Sequence, residues 1–463
     1  MEEKIELAIK EYEENNLNKA ISLFKGVLNK DPKNERALYY LCKLYRELEK
    51  WSDSKKNAEK YLEYYKHSDV LKILGDVSYF EGNYSKAKKY YSKALKLNGD
   101  KDSLKEIQNE IKKVSKKIEE TKNLPKVALI VEEGSDSFTD DIVKGLSKHF
   151  WIKKVVLSKT QSRFYHLLEK GFTKHFLSER TYKILLNLFS RKLKDTFKWA
   201  DVVWIEWANH MALAASYINK KNKKLFVRLH RYEAFTDYPL YINWENVDKI
   251  VFVSDFMRKV LEDRGVELNK EKSQVIYNGV DIERFKFVPR NNGFNIGFVA
   301  HIIPRKNLHI AFEIIKKLVE KDERYTLHIA GDFQDLMYER YLKHLIKVMN
   351  LEKNVVIYGW IDDIAKWWED KNYLLSTSMH EGHPYNILEG MARGIKPIIH
   401  NFDGAEELYE KEFLFNSIDE AVEKITNKSY DSEYYRNYII KKGWALEKQV
   451  DGFKNLVDEL LNN

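Results

Sequence analysis

The stretch YLLSTSMHEGHPYNILEGMARG, residues 373–394, joins a short apolar segment to two acidic residues eight positions apart. Residues 373–377 predict a buried strand, and Pro384 stands where a helix can begin, because proline is tolerated in the first helical turn. Glu381 then falls in the loop between strand and helix, and Glu389 falls just over one turn into the helix. Both carboxylates therefore border a helix N-terminus, whose N–H groups attract anions.

This arrangement suits a phosphate with hydroxyl groups on either side. A carboxylate can accept two hydrogen bonds from a vicinal diol, which suits Glu389 to a ribose and Glu381 to a sugar ring. The amides of residues 383–386 would hold a diphosphate between them. The competing interpretation is a solvated helix that carries two acids by chance, and it is the commoner case for this spacing alone.

The stretch EGHPYNILEGMARGIKPIIH resembles the donor site of family 4 glycosyltransferases in its E-x7-E pattern, and the similarity continues into HNFDGAEELY. The resemblance covers about residues 125–463. It implies an α/β chain with the GT-B fold, in which two Rossmann-like domains surround a cleft. It also implies a retaining, metal-independent enzyme that needs no cofactor and uses a nucleotide-diphosphate sugar, UDP- or GDP-linked, as co-substrate.

Composition describes a soluble globular protein. The chain has 463 residues, long enough for about three domains, with 44% hydrophobic and 32% charged residues. Cys42 is the single cysteine, which excludes an intramolecular disulfide and favours a reducing compartment. The N-terminus is acidic and amphipathic, and no segment approaches the ~18 apolar residues of a membrane span. A cytoplasmic protein is expected.

Residues 1–100 contain a repeat. Ala8, Ala20 and Phe24 recur in register as Gly75, Ala87 and Tyr91, with a degenerate middle copy in which Ser54 replaces the small alanine. The spacing resembles that of tetratricopeptide repeats, and the segment 101–122 can cap the third copy. This all-α domain is a docking surface for a protein partner or a second copy of the chain, or else a rigid extension that adds stability.

After residue 125 the pattern changes to apolar runs alternating with amphipathic ones, as in doubly wound domains. The first set of predicted strands is 126–131, 202–206, 224–229 and 249–254. Such sheets bind ligands at strand C-terminal ends. By resemblance, His230 stands where the family places a histidine facing the donor sugar, and Gly134 lies where the backbone approaches the diphosphate.

VIYNGVDIERF, residues 275–285, resembles the family's hinge, and Gly279 suits a turn with unusual backbone angles. Strands are predicted in 294–299, 326–332 and 355–361. Arg305 and Lys306 precede a helix, where a guanidinium and an ammonium can neutralise a departing diphosphate. By resemblance, the backbone at Gly359 and Trp360 lies near the nucleotide base.

The predicted domains are 1–100, a linker helix over 101–124, an acceptor-side domain over 125–275, a donor-binding domain over 276–430, and C-terminal helices over 431–463 that can cross back to the acceptor side. The catalytic residues expected from the resemblance are Glu381, His230, Arg305 and Lys306. The expected donor-binding residues are Gly134, Arg305, Lys306, Gly359, Trp360, Glu381, Gly382, His383, Pro384, Tyr385, Asn386 and Glu389.

Several other chemistries lack their motifs. His380 and His383 are three residues apart in a loop, whereas zinc proteases place two histidines four apart on a helix. The single Asp-x-Asp, Asp100 to Asp102, follows the repeats rather than a Rossmann strand, so the metal clamp of metal-dependent glycosyltransferases is missing. No Gly-x-Gly-x-x-Gly or Walker loop is present, which argues against dehydrogenases and ATPases.

The segment 151–200 holds twelve lysines and arginines against three acids, a net charge of +9, while the whole chain is +8. Tyr182, Leu185, Phe189 and Leu193 follow helical spacing and predict one apolar stripe. The segment is either a core-packed helix with a solvated basic face or a contact for an anionic membrane or a polyanionic acceptor. Nucleic acid is a poorer fit because no recognisable binding module accompanies the charge.

The function expected from these features is hexosyl transfer from a nucleotide-diphosphate sugar to a hydroxyl of a glycan, lipid-linked or protein acceptor. The protein would lie in the cytoplasm, or peripherally at the inner face of the membrane. The alternative is a non-catalytic scaffold in which the repeats bind a partner. Intact Arg305, Lys306, Glu381 and Glu389 argue against it, because a site released from chemistry has no reason to keep all four.

Overall fold

The computed structural model describes residues 1–97, 101–134 and 139–462, so that Asp100 of the Asp-x-Asp motif lies outside it. The chain divides into two compact units. The first comprises residues 1–206 and 210–226, and the second comprises 207–209 and 227–462. In the described ranges, no helix is both long and apolar enough to span a membrane.

The N-terminal region is helical. Its helices are α1 (Glu2–Glu13), α2 (Leu17–Leu28), α3 (Glu35–Glu47), α4 (Trp51–Leu62), α5 (Ser68–Phe80), α6 (Tyr84–Leu97) and α7 (Lys101–Thr121). The odd-numbered helices α1, α3 and α5 begin 33 residues apart, at Glu2, Glu35 and Ser68. These helices therefore begin at an even spacing along the chain.

Small residues let these helices approach one another. A Cβ at Gly75 on α5 would lie 2.4 Å from the Tyr91 ring on α6, so the ring packs directly on the α5 backbone. In the middle pair, Ser54 is fully buried and its hydroxyl donates to the Cys42 carbonyl at 3.0 Å. The serine that departs from the repeat pattern is therefore satisfied inside the core.

The strands of the first sheet and the helices between them come next in the chain. They are β1 (Lys126–Glu132), α8 (Asp140–Leu146), β2 (Trp151–Leu157), α9 (Lys159–Thr173), α10 (Glu179–Phe189), α11 (Arg191–Trp199), β3 (Val202–Ile205), α12 (His210–Ser216), β4 (Lys224–Leu229), α13 (Arg231–Ala234), α14 (Tyr238–Tyr241), β5 (Lys249–Phe252), α15 (Asp255–Asp263) and β6 (Ser273–Val275). The strand order is β2-β1-β3-β4-β5-β6. The predicted strands are confirmed, and β2 and β6 are additions.

The second sheet carries β7 (Asn295–Val299), α16 (Leu308–Lys321), β8 (Thr326–Ala330), α17 (Leu336–Val348), β9 (Val355–Gly359), α18 (Ile364–Trp367), β10 (Tyr373–Ser376), α19 (Tyr385–Ala392), β11 (Lys396–His400), α20 (Ala405–Leu408), β12 (Leu414–Phe415), α21 (Ile418–Thr426), α22 (Ser432–Lys441) and α23 (Leu446–Asn462). Its order is β12-β11-β10-β7-β8-β9. Two parallel sheets of six strands confirm the predicted α/β fold class, because helices connect parallel neighbours.

The helical region is attached to the first sheet along its edge strand, β2. The Lys154 amide donates to the Glu81 carbonyl at 2.8 Å, and the Trp151 indole donates to the Gly82 carbonyl at 3.0 Å. Tyr84 also stacks on Trp151, with ring centroids 5.9 Å apart. The turn between α5 and α6 therefore takes up backbone groups that an edge strand would otherwise leave exposed.

The apolar stripe predicted over residues 182–193 is wrong as a single helix. Ser190 has φ −91° and ψ 43°, which ends α10 and starts α11 in a new direction. Tyr182, Leu186 and Leu193 are buried, whereas Phe189 is 62% exposed. Because α10 ends before Leu193, the four residues do not form one continuous helical stripe.

Gly279 does not have the unusual backbone angles that the sequence predicted, because its φ is not among the positive values of the described glycines. A glycine is needed at this position because a side chain would not fit. A Cβ there would lie 2.7 Å from both the Ala445 carbonyl oxygen and the Leu446 Cα. Val280 forms hydrogen bonds with Trp444 and Leu446 in the same place. The predicted hinge is thus tied to the start of α23.

α23 runs beside the last strands of the first sheet. Glu459 pairs with Lys249 of β5 at 2.7 Å, and the Phe453 ring lies 5.0 Å beneath the Arg228 guanidinium. Gly452 brings the helix backbone close to Ile276, where an added Cβ would be 3.3 Å away. The end of the chain therefore packs against residues 228–276.

Candidate functional site

A cavity of about 530 Å³ opens in the second unit at the C-terminal ends of β7, β8 and β10, where open parallel sheets bind ligands. Its polar and aromatic lining includes Arg284, His301, Arg305, Lys306, Trp360, Asp362, Glu381, Tyr385, Asn386 and Glu389. The residues predicted from two distant stretches of sequence thus converge on one cavity.

Glu381 is held between two cations. The Lys306 ammonium lies 2.6 Å from Glu381 Oε1, and the Arg305 guanidinium lies 3.2 Å from the same oxygen. Burial acts to raise the pKa of this carboxyl, but the charges of Lys306 and Arg305 outweigh it and hold the pKa below its usual value. Two positive charges and one negative charge leave an excess of one cation facing the cavity.

Hydrogen bonds fix the loops that carry these charges. The Thr377 hydroxyl lies 2.9 Å from the Lys306 carbonyl and 3.0 Å from that of Asn307, and the Met379 amide donates to the Arg305 carbonyl at 3.0 Å. Asn307 takes a left-handed φ of 56°, which turns the chain sharply into α16. The cations are consequently positioned by the backbone before any ligand arrives.

The helix α19 begins where the sequence predicted. Pro384 is its N-cap residue, and the first helical turn starts at Tyr385. The Asn386 side chain donates to the Val299 carbonyl at the end of β7, 2.9 Å away. Amides in a first helical turn lack acceptors within the helix, so they can donate to an anion in the cavity.

Glu389 lies partly buried in the cavity wall one turn further along α19. Burial raises the pKa of this carboxyl to about 7, although the nearby positive charge of Arg284 acts in the opposite direction. Near neutral pH the group is therefore poised between a neutral acid, which can donate a hydrogen bond, and a carboxylate, which only accepts. Either form can bind a ribose hydroxyl.

An aromatic pair forms another part of the wall. The Trp360 indole is 56% exposed and stacks on the His301 ring, with centroids 5.7 Å apart and planes 27° apart. The Trp360 amide donates to Asp332 at 3.0 Å, which holds the loop after Gly359, whose φ is +71°. The sequence predicted a backbone contact here, whereas the structure offers flat ring surfaces on which a base can stack.

His230 and Gly382 both lie next to a further cation, Arg231. The His230 ring lies 4.2 Å from the Trp207 ring, and its amide donates to Glu233 at 3.0 Å. Gly382 packs so closely that a Cβ would be 2.9 Å from Val253 and 3.3 Å from Arg231. The lack of a side chain at Gly382 thus allows the loop after β10 to touch the loop after β4.

Arg231 directly follows His230 and was not predicted as a site residue. Its guanidinium is 3.5 Å from His380 Nε2, and its pKa is lowered first by burial and then by the charge of Arg305. Two arginines that repel each other mark a place where an anion would be stabilised. The available signal was a cation directly after the predicted strand β4.

His383 differs from its predicted place in the donor site. Its ring is buried, accepts from the Asn278 amide at 2.9 Å through Nδ1, and packs against Trp444 with centroids 4.5 Å apart. Burial lowers its pKa to about 3, so it stays neutral. Because Asn278 also donates to the His383 carbonyl at 2.6 Å, both partners hold the ring inward, away from the cavity.

Gly134 follows β1 in the first unit. Its φ is +94°, and an added Cβ would meet nothing within 4 Å.

Arg284 and His301 line the cavity without having been predicted. Arg284 lies within the predicted hinge stretch and His301 comes shortly after β7, but a charged or polar residue in a loop is too common to single out by sequence.

No cluster of three metal-ligating side chains occurs among residues 1–97, 101–134 and 139–462. The positive charge that faces the cavity comes from the side chains of Arg284, Arg305 and Lys306. Together with the first turn of α19 and the Glu389 carboxyl, these groups line one cavity.

Two family models match adjacent parts of the chain. Residues 147–284 match Glycosyltransferase Family 4, and residues 280–443 match Glycosyl transferases group 1. Among curated proteins, the chain is 28% identical over 222 residues to the Escherichia coli UDP-Gal:alpha-D-GlcNAc-diphosphoundecaprenol alpha-1,3-galactosyltransferase, covering 42% of this chain and 55% of that one.

The Staphylococcus aureus (strain COL) poly(ribitol-phosphate) alpha-N-acetylglucosaminyltransferase is 28% identical over 96 residues, 21% of this chain and 19% of that one. The chain thus spans about half or less of these two relatives. Solved structures with the same fold include Anabaena HepE in complex with UDP and glucose, with a TM-score of 0.58 and 19% identity over 72% of this chain and 100% of that one. A Rickettsia africae glycosyltransferase has the same TM-score and 19% identity over 74% and 100%.

Proposed function

Residues 147–443 belong to the glycosyltransferase families of these two matches, and from this premise we propose that the chain moves a hexose-type sugar from a nucleoside diphosphate sugar to an acceptor hydroxyl. The observation that carries the proposal is the Arg305, Lys306 and Glu381 cluster, which faces one cavity with Glu389 and the ring of Trp360. These groups suit the diphosphate, the ribose and the base of one donor.

Bond cleavage leaves negative charge on the departing nucleoside diphosphate. Arg305, Lys306 and the first-turn amides of α19 are already oriented towards the cavity, so they can stabilise this charge without rearranging. Glu381 keeps both cations in place and accepts from hydroxyls of the sugar. Retention of the anomeric configuration remains a proposal from the family resemblance, with the acceptor attacking on the face from which the diphosphate leaves.

The proposal is tested by mass-spectrometric detection of slow hydrolysis across a panel of UDP- and GDP-linked sugars. Arg305→Ala and Lys306→Ala should each lower turnover roughly 30- to 1000-fold, because a charge-assisted contact contributes about 2–4 kcal/mol to transition-state stabilisation. Arg340→Ala, which removes an exposed arginine from α17, is the matched control and should be unaffected. Full turnover in both cavity variants would refute the site.

The proposal also includes catalysis without a metal ion. Three cations and the α19 amides supply the positive charge that a divalent ion provides in other glycosyltransferases. Hydrolysis should therefore continue after exhaustive treatment with EDTA. Loss of turnover in EDTA that manganese or magnesium restores would contradict this part. Turnover of any nucleotide sugar would also dismiss the alternative of a non-catalytic scaffold.

The repeats remain a proposed docking surface, tetratricopeptide-like in spacing, for a protein partner or a second copy of the chain. The acceptor is proposed to be a glycan, lipid-linked or protein hydroxyl. A cytoplasmic location is proposed, with peripheral contact to an anionic membrane.

The α9–α10 patch supports the membrane contact: it comprises the exposed side chains of Leu167, Phe176, Ile184, Leu188 and Phe189. Exposed basic residues surround it, among them Lys170, Lys174 and Arg180. Apolar side chains rimmed by cations suit the boundary of an anionic bilayer.

Vesicle binding tests this contact. The chain should bind phosphatidylglycerol vesicles better than phosphatidylcholine vesicles, and salt should weaken the binding. A Phe176→Ser, Leu188→Ser variant should lose it, while a control with Leu336→Ser and Met337→Ser, two equally exposed positions on α17, should not. Equal, negligible binding to both vesicle types would exclude the membrane contact.

A further inference from the structure

Arg231 and His380 form a cluster in the second unit that lies beside the cavity but is not part of its lining. Arg231 begins α13 directly after β4, and His380 lies in the loop after β10. The Arg231 guanidinium is 3.5 Å from His380 Nε2. Arg305 connects this cluster with the cavity, because it lines the cavity and also donates to the His380 carbonyl at 3.3 Å.

The Arg231 guanidinium has more donors than partners. A guanidinium carries several N–H groups and no acceptor. Among the described residues, its only hydrogen-bond contact is the His380 ring, and it forms no ion pair. The side chain is half-buried, and burial is the largest cause that lowers its pKa, although the charges of Glu381 and Glu233 act in the opposite direction. A half-buried arginine that no carboxylate contacts is suited to bind an anion.

His380 also has a donor without an acceptor. Burial, followed by the charges of Arg231 and Arg305, lowers the pKa of its ring, so the ring is neutral near neutral pH. Since a guanidinium can only donate, Nε2 accepts from Arg231 and Nδ1 carries the hydrogen. Nδ1 is buried without a partner in the described part of the chain. Both members of the cluster thus have N–H groups for which these residues supply no acceptor, as expected where a ligand is bound.

Two exposed aromatic residues lie next to this cluster. Tyr232 follows Arg231 on α13 and is 57% exposed. Phe235 is 48% exposed, and its ring centroid lies 4.7 Å from that of His380. Flat aromatic faces offer apolar contact to the C–H groups of a sugar ring or a polyol chain. The cluster therefore combines an anion contact with a solvent-exposed surface for a carbohydrate.

We propose that Arg231 binds a phosphate ester on the sugar acceptor, and that Phe235 packs against the sugar or polyol part of that ester. A phosphate suits the cluster because a guanidinium can bind it in a bidentate manner. The ligand is the acceptor rather than the donor, because the cluster lies outside the proposed donor cavity and Arg305 borders both. This inference rests on the proposed transfer function and narrows its acceptor to a phosphorylated one.

The test is isothermal titration of the full chain with glucose 1-phosphate, glycerol 3-phosphate and uncharged methyl glucoside, with excess UDP to occupy the donor cavity. Both phosphates should bind, and the glucoside should bind far more weakly. Arg231→Gln should weaken the binding of both phosphates by about 10-fold or more, because charged hydrogen bonds are lost. Arg231→Lys, which keeps the charge but not the bidentate geometry, should weaken it less. Arg340→Gln, at an exposed arginine of α17, is the control and should bind like the wild type.

The two phosphates distinguish the source of the ester. Phe235→Leu keeps an apolar side chain but removes the flat ring. If this variant loses affinity for glucose 1-phosphate alone, the acceptor is a glycosyl phosphate. Equal or tighter binding of glycerol 3-phosphate by the wild type supports a polyol phosphate instead.

Binding of UDP, measured separately, distinguishes this inference from the proposed function. If UDP neither binds nor protects the donor cavity and no nucleotide sugar is hydrolysed, the proposed function fails, and the phosphate titrations without UDP still decide whether Arg231 binds a phosphate. Absence of phosphate binding to the wild type, or equal phosphate binding by wild type, Arg231→Gln and Arg231→Lys, would overturn the inference. An equal loss of UDP and phosphate binding in Arg231→Gln would also overturn it, because Arg231 would then belong to the donor site.

Discussion

At the scale of single residues, the cavity lined by Glu381 and Glu389 shows how one type of acid can have two different protonation behaviours. The pKa of Glu381 is held low because two cations adjoin it, whereas burial raises that of Glu389 to about 7. The E-x7-E spacing alone shows two equivalent carboxyls. Their environments separate them into a permanently charged anchor and a group that titrates in the physiological range.

Glu389 makes stability depend on pH. Its pKa is higher in the folded than in the unfolded chain, so the folded chain retains a proton between about pH 4.5 and 7 that the unfolded chain has released. The contribution of this group is therefore fully present below about pH 4.5 and is lost as pH rises to 7, by up to about 3 kcal/mol. Glu389→Gln should remove this dependence.

The measurement is the thermal midpoint of wild type and Glu389→Gln from pH 5 to 8. The two midpoints should be similar at pH 5, and the variant should become progressively more stable than wild type towards pH 7. Glu352→Gln, at an exposed acid of the same unit, is the control and should follow the wild-type curve. Parallel curves for wild type and Glu389→Gln would show that burial does not raise the pKa of Glu389.

At the scale of elements, the N-terminus of α15 is capped by a residue that lies far away along the sequence. Its own N-cap, Ser254, makes no side-chain capping bond, and the Ser254 hydroxyl is buried without a partner among the described residues. Glu407, on α20, accepts from the amides of Asp255 at 2.8 Å and Phe256 at 2.5 Å. It also accepts from the Tyr277 hydroxyl at 3.2 Å. This carboxylate thus joins the stretch HNFDGAEELY to the first-sheet side of the second unit.

Glu407→Ala should lower the free energy of unfolding by about 2 kcal/mol, because charged hydrogen bonds at a helix N-terminus are lost and two amides are left without an acceptor. Urea denaturation followed by circular dichroism measures the change. The neighbouring Glu406→Ala removes an exposed acid from the same helix and should change stability by less than about 0.5 kcal/mol. Equal effects of the two substitutions would rule out the cap.

At the scale of the whole molecule, the N-terminal helical region is joined to the first sheet at its edge strand, β2. Gly82 has a φ of +70°, and a Cβ there would lie 1.9 Å from the Ile152 carbonyl oxygen of β2. Both the backbone angle and the contact therefore require glycine. Removal of residues 1–100 would uncover the β2 edge, so truncation would disturb the sheet as well as remove a docking surface.

Gly82→Ala should loosen this attachment. Gly443 is a matched position, since its φ is also +70° but a Cβ would meet nothing within 4 Å. Alanine at either position costs about 1 kcal/mol of backbone strain, and only Gly82→Ala adds the clash. Hydrogen–deuterium exchange of peptides covering residues 151–157 should rise in Gly82→Ala and stay unchanged in Gly443→Ala. Unchanged exchange in both would refute the described attachment.

Much of the fold follows from local pattern. Apolar runs of five to seven residues predicted the strands of both sheets apart from β2, β6, β11 and β12. Of these, β2 is an edge strand with two lysines, β6 and β12 are edge strands of three and two residues, and β11 contains a proline. Among the residues that line the cavity, Arg305, Lys306, Glu381 and Glu389 were predicted as site residues from their places beside strand ends and a helix start. Arg231, Arg284 and His301 were missed as site residues, because a charged or polar loop residue has no distinguishing neighbours in sequence.

The sequence by itself determined which segments form strands and helices and where the loops that line the cavity fall, because these depend on periodicity and on residues within a few positions of each other. Only the tertiary structure decided that His383 turns inward, that Glu407 caps α15 and that β2 receives the helical region. Those outcomes depend on which backbone groups meet after long stretches of chain have folded. Contacts between residues far apart along the chain leave no periodic trace in a single sequence, so packing alone selects them.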